Sequence, residues 1–122
     1  MNRYVSEERR RGFLDAAHRV GALGLVRCSS GNLSMRIEDG HMLIKASRTW
    51  MGDLDEEGLA VCRISDAAHI HGPKPSVETG FHAGILRERA DVSVVLHFQT
   101  PHATAISCRA DADRLDYFVI PE

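Results

Sequence analysis

The stretch that decides the fold runs from Gly72 to His102 and reads GPKPSVETGFHAGILRERADVSVVLHFQTPH. Gly72, Pro73 and Pro75 forbid regular structure at its start, and Ser76 follows as an N-cap whose side chain can accept from an early helix N–H. The spacing predicts a helix ending near Arg89, with Glu78 in its first turn. Glu78 and His82 lie four apart and share a face, while Phe81 and Ile85 form the neighbouring stripe, expected to be the core face. Ala90 and Asp91 then turn the chain into Val92 to Leu96, a run apolar enough to predict a buried central strand. That strand delivers His97, Phe98 and Gln99, and its period of two puts 97 and 99 on one face. A carboxylate from a helix start and nitrogen or oxygen donors from a strand end can converge on a metal and its substrate. Read from spacing alone, the same pattern also fits a glutamate that only complements the helix dipole and a strand end that ligates nothing.

Upstream, Ser65 to Pro75 reads as a loop whose His69 and His71 are bystanders, because metal sites favour ligands on rigid, supported elements. Ala60 to Ile64 reads as a strand, preceded by an acidic turn, Asp53 to Gly58. Leu33 to Ile37 and His41 to Ala46 are alternating runs joined through Glu38-Asp39-Gly40, a strong hairpin signal. Ser47-Arg48-Thr49 follows at a strand end, either as an ordinary loop or as an anion-contacting one, since arginine presents a fork of donors. Cys28 to Ser34, CSSGNLS, is either a connector or a turn that offers N–H and hydroxyl groups to a phosphate. Ser6 caps a scaffold helix with Phe13, Ala16, Ala17, Val20 and Leu23 at helical spacing, ending near Gly24. Downstream, Pro101 opens a short helix and Tyr117 to Ile120 reads as a last strand. Helices alternating with hairpins predict one α/β domain over residues 1–122, a sheet covered by helices.

With 43% hydrophobic and 26% charged residues, the composition is that of a soluble globular domain. A net charge of −2 carries no electrostatic footprint for nucleic acid or anionic lipid, so neither partner is expected. Three widely spaced cysteines, Cys28, Cys62 and Cys108, form no CxxC pair and fit free thiols in a reducing cytoplasm. No run approaches the length of a membrane span.

Taken together, Ser29-Ser30-Gly31-Asn32-Leu33-Ser34, Leu43-Ile44-Lys45-Ala46-Ser47, Lys74-Pro75-Ser76-Val77-Glu78 with Phe81-His82, and Val94-Val95-Leu96-His97-Phe98-Gln99 resemble the class II aldolase/adducin family in order and spacing. Within it they come nearest to the aldolases of L-fuculose 1-phosphate. The resemblance implies a three-layer α/β/α sandwich around a mixed, mostly antiparallel sheet. It implies a zinc-dependent lyase that cleaves L-fuculose 1-phosphate, or a similar ketose phosphate, to dihydroxyacetone phosphate and an aldehyde. Glu78 would be the catalytic base. Gly31, Asn32, Ser47, Ser76 and Val77 would hold the phosphate, helped by backbone N–H groups at the 31–32 turn and at the helix start near Ser76. The metal would sit on His97 and Gln99, where the family pattern has a histidine pair, with a third histidine beyond Glu122. The chain therefore resembles the N-terminal part of a family domain, incomplete at its C-terminus. The family also implies a homotetramer and, on the same scaffold, pentulose-phosphate epimerases, dehydratases and non-catalytic adducin-like binding domains.

Overall fold

The computed structural model describes residues 1–117. Helix α1 (Glu7–Ala22) begins where Ser6 Oγ accepts from Arg9 N–H, and Glu7 and Glu8 complement its dipole. It buries Phe13, Ala17 and Val20. Strands β1 (Asn32–Arg36) and β2 (His41–Lys45) pair with Met35 opposite Leu43. Asp39 and Gly40 both carry positive φ, 56° and 71°, which is the mirror-image turn that matches strand twist, and His41 N–H closes it on Glu38 O.

Strand β3 (Leu59–Arg63) pairs with β2, and a short β4 (His69–His71) pairs with β3. Helix α2 (Thr79–Glu88) then leads to β5 (Val94–His97), which lies against β1 with His97 opposite Asn32. The order is β4-β3-β2-β1-β5, and every pairing among the described residues is antiparallel. A third helix, α3 (Pro101–Ser107), is capped by Thr100 and buries no residue.

Alternation along the strands builds two cores. Leu33, Leu43, Leu59 and Val61 pack with Phe13, Ala17 and Val20 of α1 on one face. Met42, Ile44, Ala60, Cys62 and Val95 pack with Ala83 and Leu86 of α2 on the other. The result is the three-layer α/β/α arrangement, with each fully buried aliphatic side chain contributing about 1.5–3 kcal/mol.

Three local readings change. The core stripe of α2 is Thr79, His82, Ala83 and Leu86, whereas Phe81 and Ile85 are 40% and 38% exposed. Hydropathy ranks Phe81 above His82, but the ring of His82 is satisfied by polar partners under the helix, and Phe81 stacks outside it with ring centroids 4.5 Å apart. The apolar run at 92–96 forms the strand next to β1 at the end of the sheet, not a central one, and Val94 is 51% exposed there. His69 and His71 lie on an exposed edge strand, not a loop. Gly72, at φ 87°, ends that strand where a Cβ would meet Leu59 O at 2.4 Å. The strand expected from Tyr117 to Ile120 lies, beyond its first residue, outside the described residues.

Candidate active site

Where β1 meets β5, the Asn32–His97 pair places two polar side chains beside the start of α2. Gly31 makes this approach possible. It sits at φ 71°, and a Cβ there would lie 2.8 Å from His97 O and 2.5 Å from Val26 Cγ1. From the other side, the strap after β2 is stitched to the loop before α2. Ser47 N–H donates to Lys74 O, Ser76 N–H donates to Lys45 O, and Ala46 pairs with Pro75.

Helix α2 starts three residues later than Ser76. Ser76 Oγ accepts from Glu78 N–H at 3.2 Å, and Ser76 O accepts from Thr79 N–H at 3.2 Å. Glu78 thus stands at the N-cap position rather than within the first turn. The N–H groups of Ser76, Glu78 and Thr79 are all spent inside the protein, whereas Val77 N–H, beside the cleft, has no partner among the described residues.

These segments enclose a cleft of about 240 Å³. Gly31, Asn32, Ser47, Ser76, Val77, Glu78, His97 and Gln99 all line it, so the structure brings every site residue expected from sequence to one place. Lys45 and Arg48 line it too.

Asn32 is the hub. Its Nδ2 donates to Glu78 Oε2 at 2.6 Å and to Ser76 Oγ at 3.0 Å. Its Oδ1 lies 2.6 Å from His82 Nε2. On the far side of that ring, Ser34 Oγ is 2.6 Å from His82 Nδ1. Glu78 Oε2 is also 3.0 Å from His97 Nδ1, with both side chains half-buried. Donation from Asn32, followed by the nearby His97, holds the Glu78 carboxyl below its ordinary range. Burial, reinforced by His97, lowers His82 to about 4 and keeps it neutral at physiological pH.

Lys45 forms the cationic floor. It is 2% exposed, and its Nζ donates to Thr49 O at 2.6 Å and Ala46 O at 3.2 Å. Burial lowers its pKa. Arg48 holds a left-handed backbone at φ 65° and is exposed, with no hydrogen-bond or ion-pair partner among the described residues. Among the described residues, two cations without carboxylate partners therefore line the same cleft as a carboxylate–imidazole pair. Such a site can hold an anionic group and move a proton a few ångströms away.

The donor set also bears on a metal. A carboxylate can only accept, so His97 donates to Glu78 through Nδ1–H, and Nε2 keeps its lone pair. A carboxylate behind an imidazole is the usual support for a metal-ligating histidine. Among the described residues, no group of three or more His, Cys, Asp and Glu side chains could hold a metal ion. His97 and Gln99 thus fit as part of a ligand set that needs further donors.

Sequence reading singled out Glu78, His97 and Asn32 but not their supports. Ser34 and Lys45 were visible only as motif members, and His82 only as a helix neighbour of Glu78. Their signal was polarity on strand and helix positions that alternation assigns to the interior.

Known proteins resemble this chain in sequence and in fold. A 5-methylthioribulose-1-phosphate/5-deoxyribulose-1-phosphate aldolase of Rhodospirillum rubrum is 41% identical over 100 residues, covering 81% of this chain and 44% of that protein. A methylthioribulose-1-phosphate dehydratase of Serratia proteamaculans is 32% identical, covering 80% of this chain and 48% of that protein. The chain spans less than half the length of these curated relatives. A solved L-fuculose 1-phosphate aldolase superposes with a TM-score of 0.76 at 23% identity, over 86% of this chain and half of that one, a likeness of fold. No helix among the described residues is long and apolar enough to cross a membrane. The model of the class II aldolase and adducin N-terminal domain matches residues 11–120, and the chain belongs to that family.

Proposed function

We propose that the chain is the substrate-binding and proton-transfer part of a lyase acting on ketose 1-phosphates, cleaving C3–C4 to give dihydroxyacetone phosphate and an aldehyde. The observation that carries this reading is Glu78, held by Asn32 and His97 in a cleft that Lys45 and Arg48 also line. The phosphate lies near these cations, contacted by the hydroxyls of Ser47 and Ser76, Val77 N–H and the backbone at Gly31. Arg48 adds a charged fork there. The ketose carbonyl then lies toward His97 and Gln99, which would hold a divalent cation, zinc in our reading, as part of a larger ligand set. That cation would supply electrophilic stabilisation of developing negative charge.

Glu78 handles the proton at C3. When C3–C4 breaks, the bonding pair remains on C3, conjugated with the carbonyl, and the C4 hydroxyl proton passes to solvent water as the aldehyde forms, solvent in turn supplying the proton that Glu78 carries. Glu78 in its protonated form delivers a proton to C3, and in the reverse direction its carboxylate removes it. Donation from Asn32 keeps the carboxylate aimed at that carbon. Support for a short 5-deoxypentulose phosphate comes from the 41% identical relative, and for L-fuculose 1-phosphate from the fold likeness.

The dehydratase relative favours a second reading, in which Glu78 removes the C3 proton and the C4 hydroxyl leaves as water. Both reactions use the same base. Incubating the purified protein with zinc and either 5-deoxyribulose 1-phosphate or L-fuculose 1-phosphate separates them. Release of dihydroxyacetone phosphate supports the aldolase, and a dehydrated diketone phosphate without cleavage supports the dehydratase. Neither product from a chain that binds the phosphate would sink both. Family assembly points to a homo-oligomer, and a cytoplasmic setting matches the three free cysteines.

A further inference from the structure

We propose that His82 is a positioning residue for Glu78, acting through Asn32, and that Ser34 sets the tautomer that makes this possible. The inference rests on the reading of Glu78 as the proton-transfer group. An ionised carboxylate only accepts, so the Asn32 atom 2.6 Å from Glu78 Oε2 must be the amide nitrogen. The same orientation lets that nitrogen donate to Ser76 Oγ. Asn32 Oδ1 is thereby turned toward His82 Nε2, and at 2.6 Å that nitrogen must carry the proton. A neutral imidazole has one N–H, so His82 Nδ1 is left with a lone pair, and Ser34 Oγ–H donates into it at 2.6 Å.

The donor order runs in one direction, Ser34 to His82 to Asn32 to Glu78, through segments 46 to 50 residues apart in the chain. Ser34 and His82 are both 0% exposed and Asn32 is 5% exposed, so no water competes for these bonds. Neither Ser34 nor His82 lines the cleft. Their effect on chemistry passes through the direction of one carboxamide. Without the His82 donor, Asn32 Oδ1 keeps only the longer 3.3 Å contact with His97 Nδ1, so the carboxamide loses its fixed direction and Glu78 shifts from the reacting carbon. Ser34 reaches the same result from one step further back, because an imidazole without its hydroxyl donor can adopt the opposite tautomer.

The test compares the wild-type protein with Ser34→Ala, Ser34→Thr, His82→Leu and His82→Gln. Three quantities are read: kcat and KM on whichever ketose 1-phosphate turns over, the Kd for inorganic phosphate, and the nitrogen NMR shifts of the His82 ring. Ser34→Ala should lower kcat about tenfold and His82→Leu about a hundredfold, with KM and the phosphate Kd within about twofold. Ser34→Thr and His82→Gln, which keep a donor, should recover most of kcat. The wild-type ring should carry its proton on Nε2, and Ser34→Ala should show a mixture of tautomers. Unchanged kcat in Ser34→Ala and His82→Leu, alongside a lower melting temperature, would reduce the cluster to a structural one and overturn the proposal. A wild-type ring protonated on Nδ1 would overturn it as well. If no ketose 1-phosphate turns over, the functional reading fails by itself, and NMR still decides this one. The Asn32 carboxamide protons should then shift in both Ser34→Ala and Glu78→Gln, and unmoved protons in Ser34→Ala would refute the relay.

Discussion

At the scale of single residues, the site depends on groups whose states burial has set. His82 is the clearest. Its folded-state pKa lies near 4, below the ordinary histidine value of 6.5, so between these pH values the unfolded chain binds a proton that the folded chain does not. Stability from this group is therefore complete above about pH 6.5 and falls as the pH drops toward 4, by up to roughly 3 kcal/mol. Urea melts at pH 7.0, 5.5 and 4.5 should show that decline, and His82→Gln should flatten it. An equally steep decline in the variant would assign the effect elsewhere. Gly31 makes a different demand. Alanine there would carry a Cβ into His97 O and Val26 at a left-handed φ, so Gly31→Ala should cost about 2–4 kcal/mol and lower phosphate affinity together. An alanine variant that melts and binds like wild type would mean the β1–β5 approach is looser than it looks. None of this was legible in the sequence beyond the residue types. CSSGNLS showed a turn with a glycine, but only the pairing of Asn32 with His97 shows why glycine is needed at 31.

At the scale of elements, the hairpin was readable because Asp39-Gly40 encodes its own turn, and α1 because its cap and period agree. The second helix was readable in place but not in face. Its sheet-side stripe is set by a polar contact between His82 and Ser34, 48 residues apart, which local periodicity cannot register. The far end of that helix has its own tie. Arg36, at the end of β1, donates to the carbonyl oxygens of Leu86, Arg89 and Val92, closing the last turn of α2 and the bend into β5. Arg36→Met should leave those carbonyls to water and cost about 1–3 kcal/mol, with amide exchange accelerating first in 86–94. Uniform acceleration across the sheet would argue against a local tie.

At the scale of the molecule, two cores on opposite faces of one antiparallel sheet hold the cleft at the β1–β5 seam, where the N-terminal start of α2 also arrives. A sheet covered by helices was legible because helices alternate with hairpins, and the three layers followed from the family resemblance. The position of β5 was not, since Val92 to Leu96 reads the same whether a strand is flanked on one side or two. The proposed cation ligands, His97 and Gln99, are too few among the described residues to form a full site, which leads to a stoichiometric expectation. Equilibrated with zinc, the purified chain should bind it weakly through His97, and His97→Ala should abolish that binding while Gln99→Ala reduces it about threefold or more. Binding that survives His97→Ala would place the metal elsewhere.

The central claim is that Glu78 moves the proton at C3 of a bound ketose phosphate. Its most direct test is exchange of the C3 hydrogen of dihydroxyacetone phosphate with deuterated water, followed by proton NMR, in wild type and Glu78→Gln with zinc present. The account predicts stereospecific loss of one hydrogen signal with wild type and a rate at least about a hundredfold lower with Glu78→Gln, at unchanged zinc content and phosphate affinity. Equal exchange rates in the two proteins would contradict it.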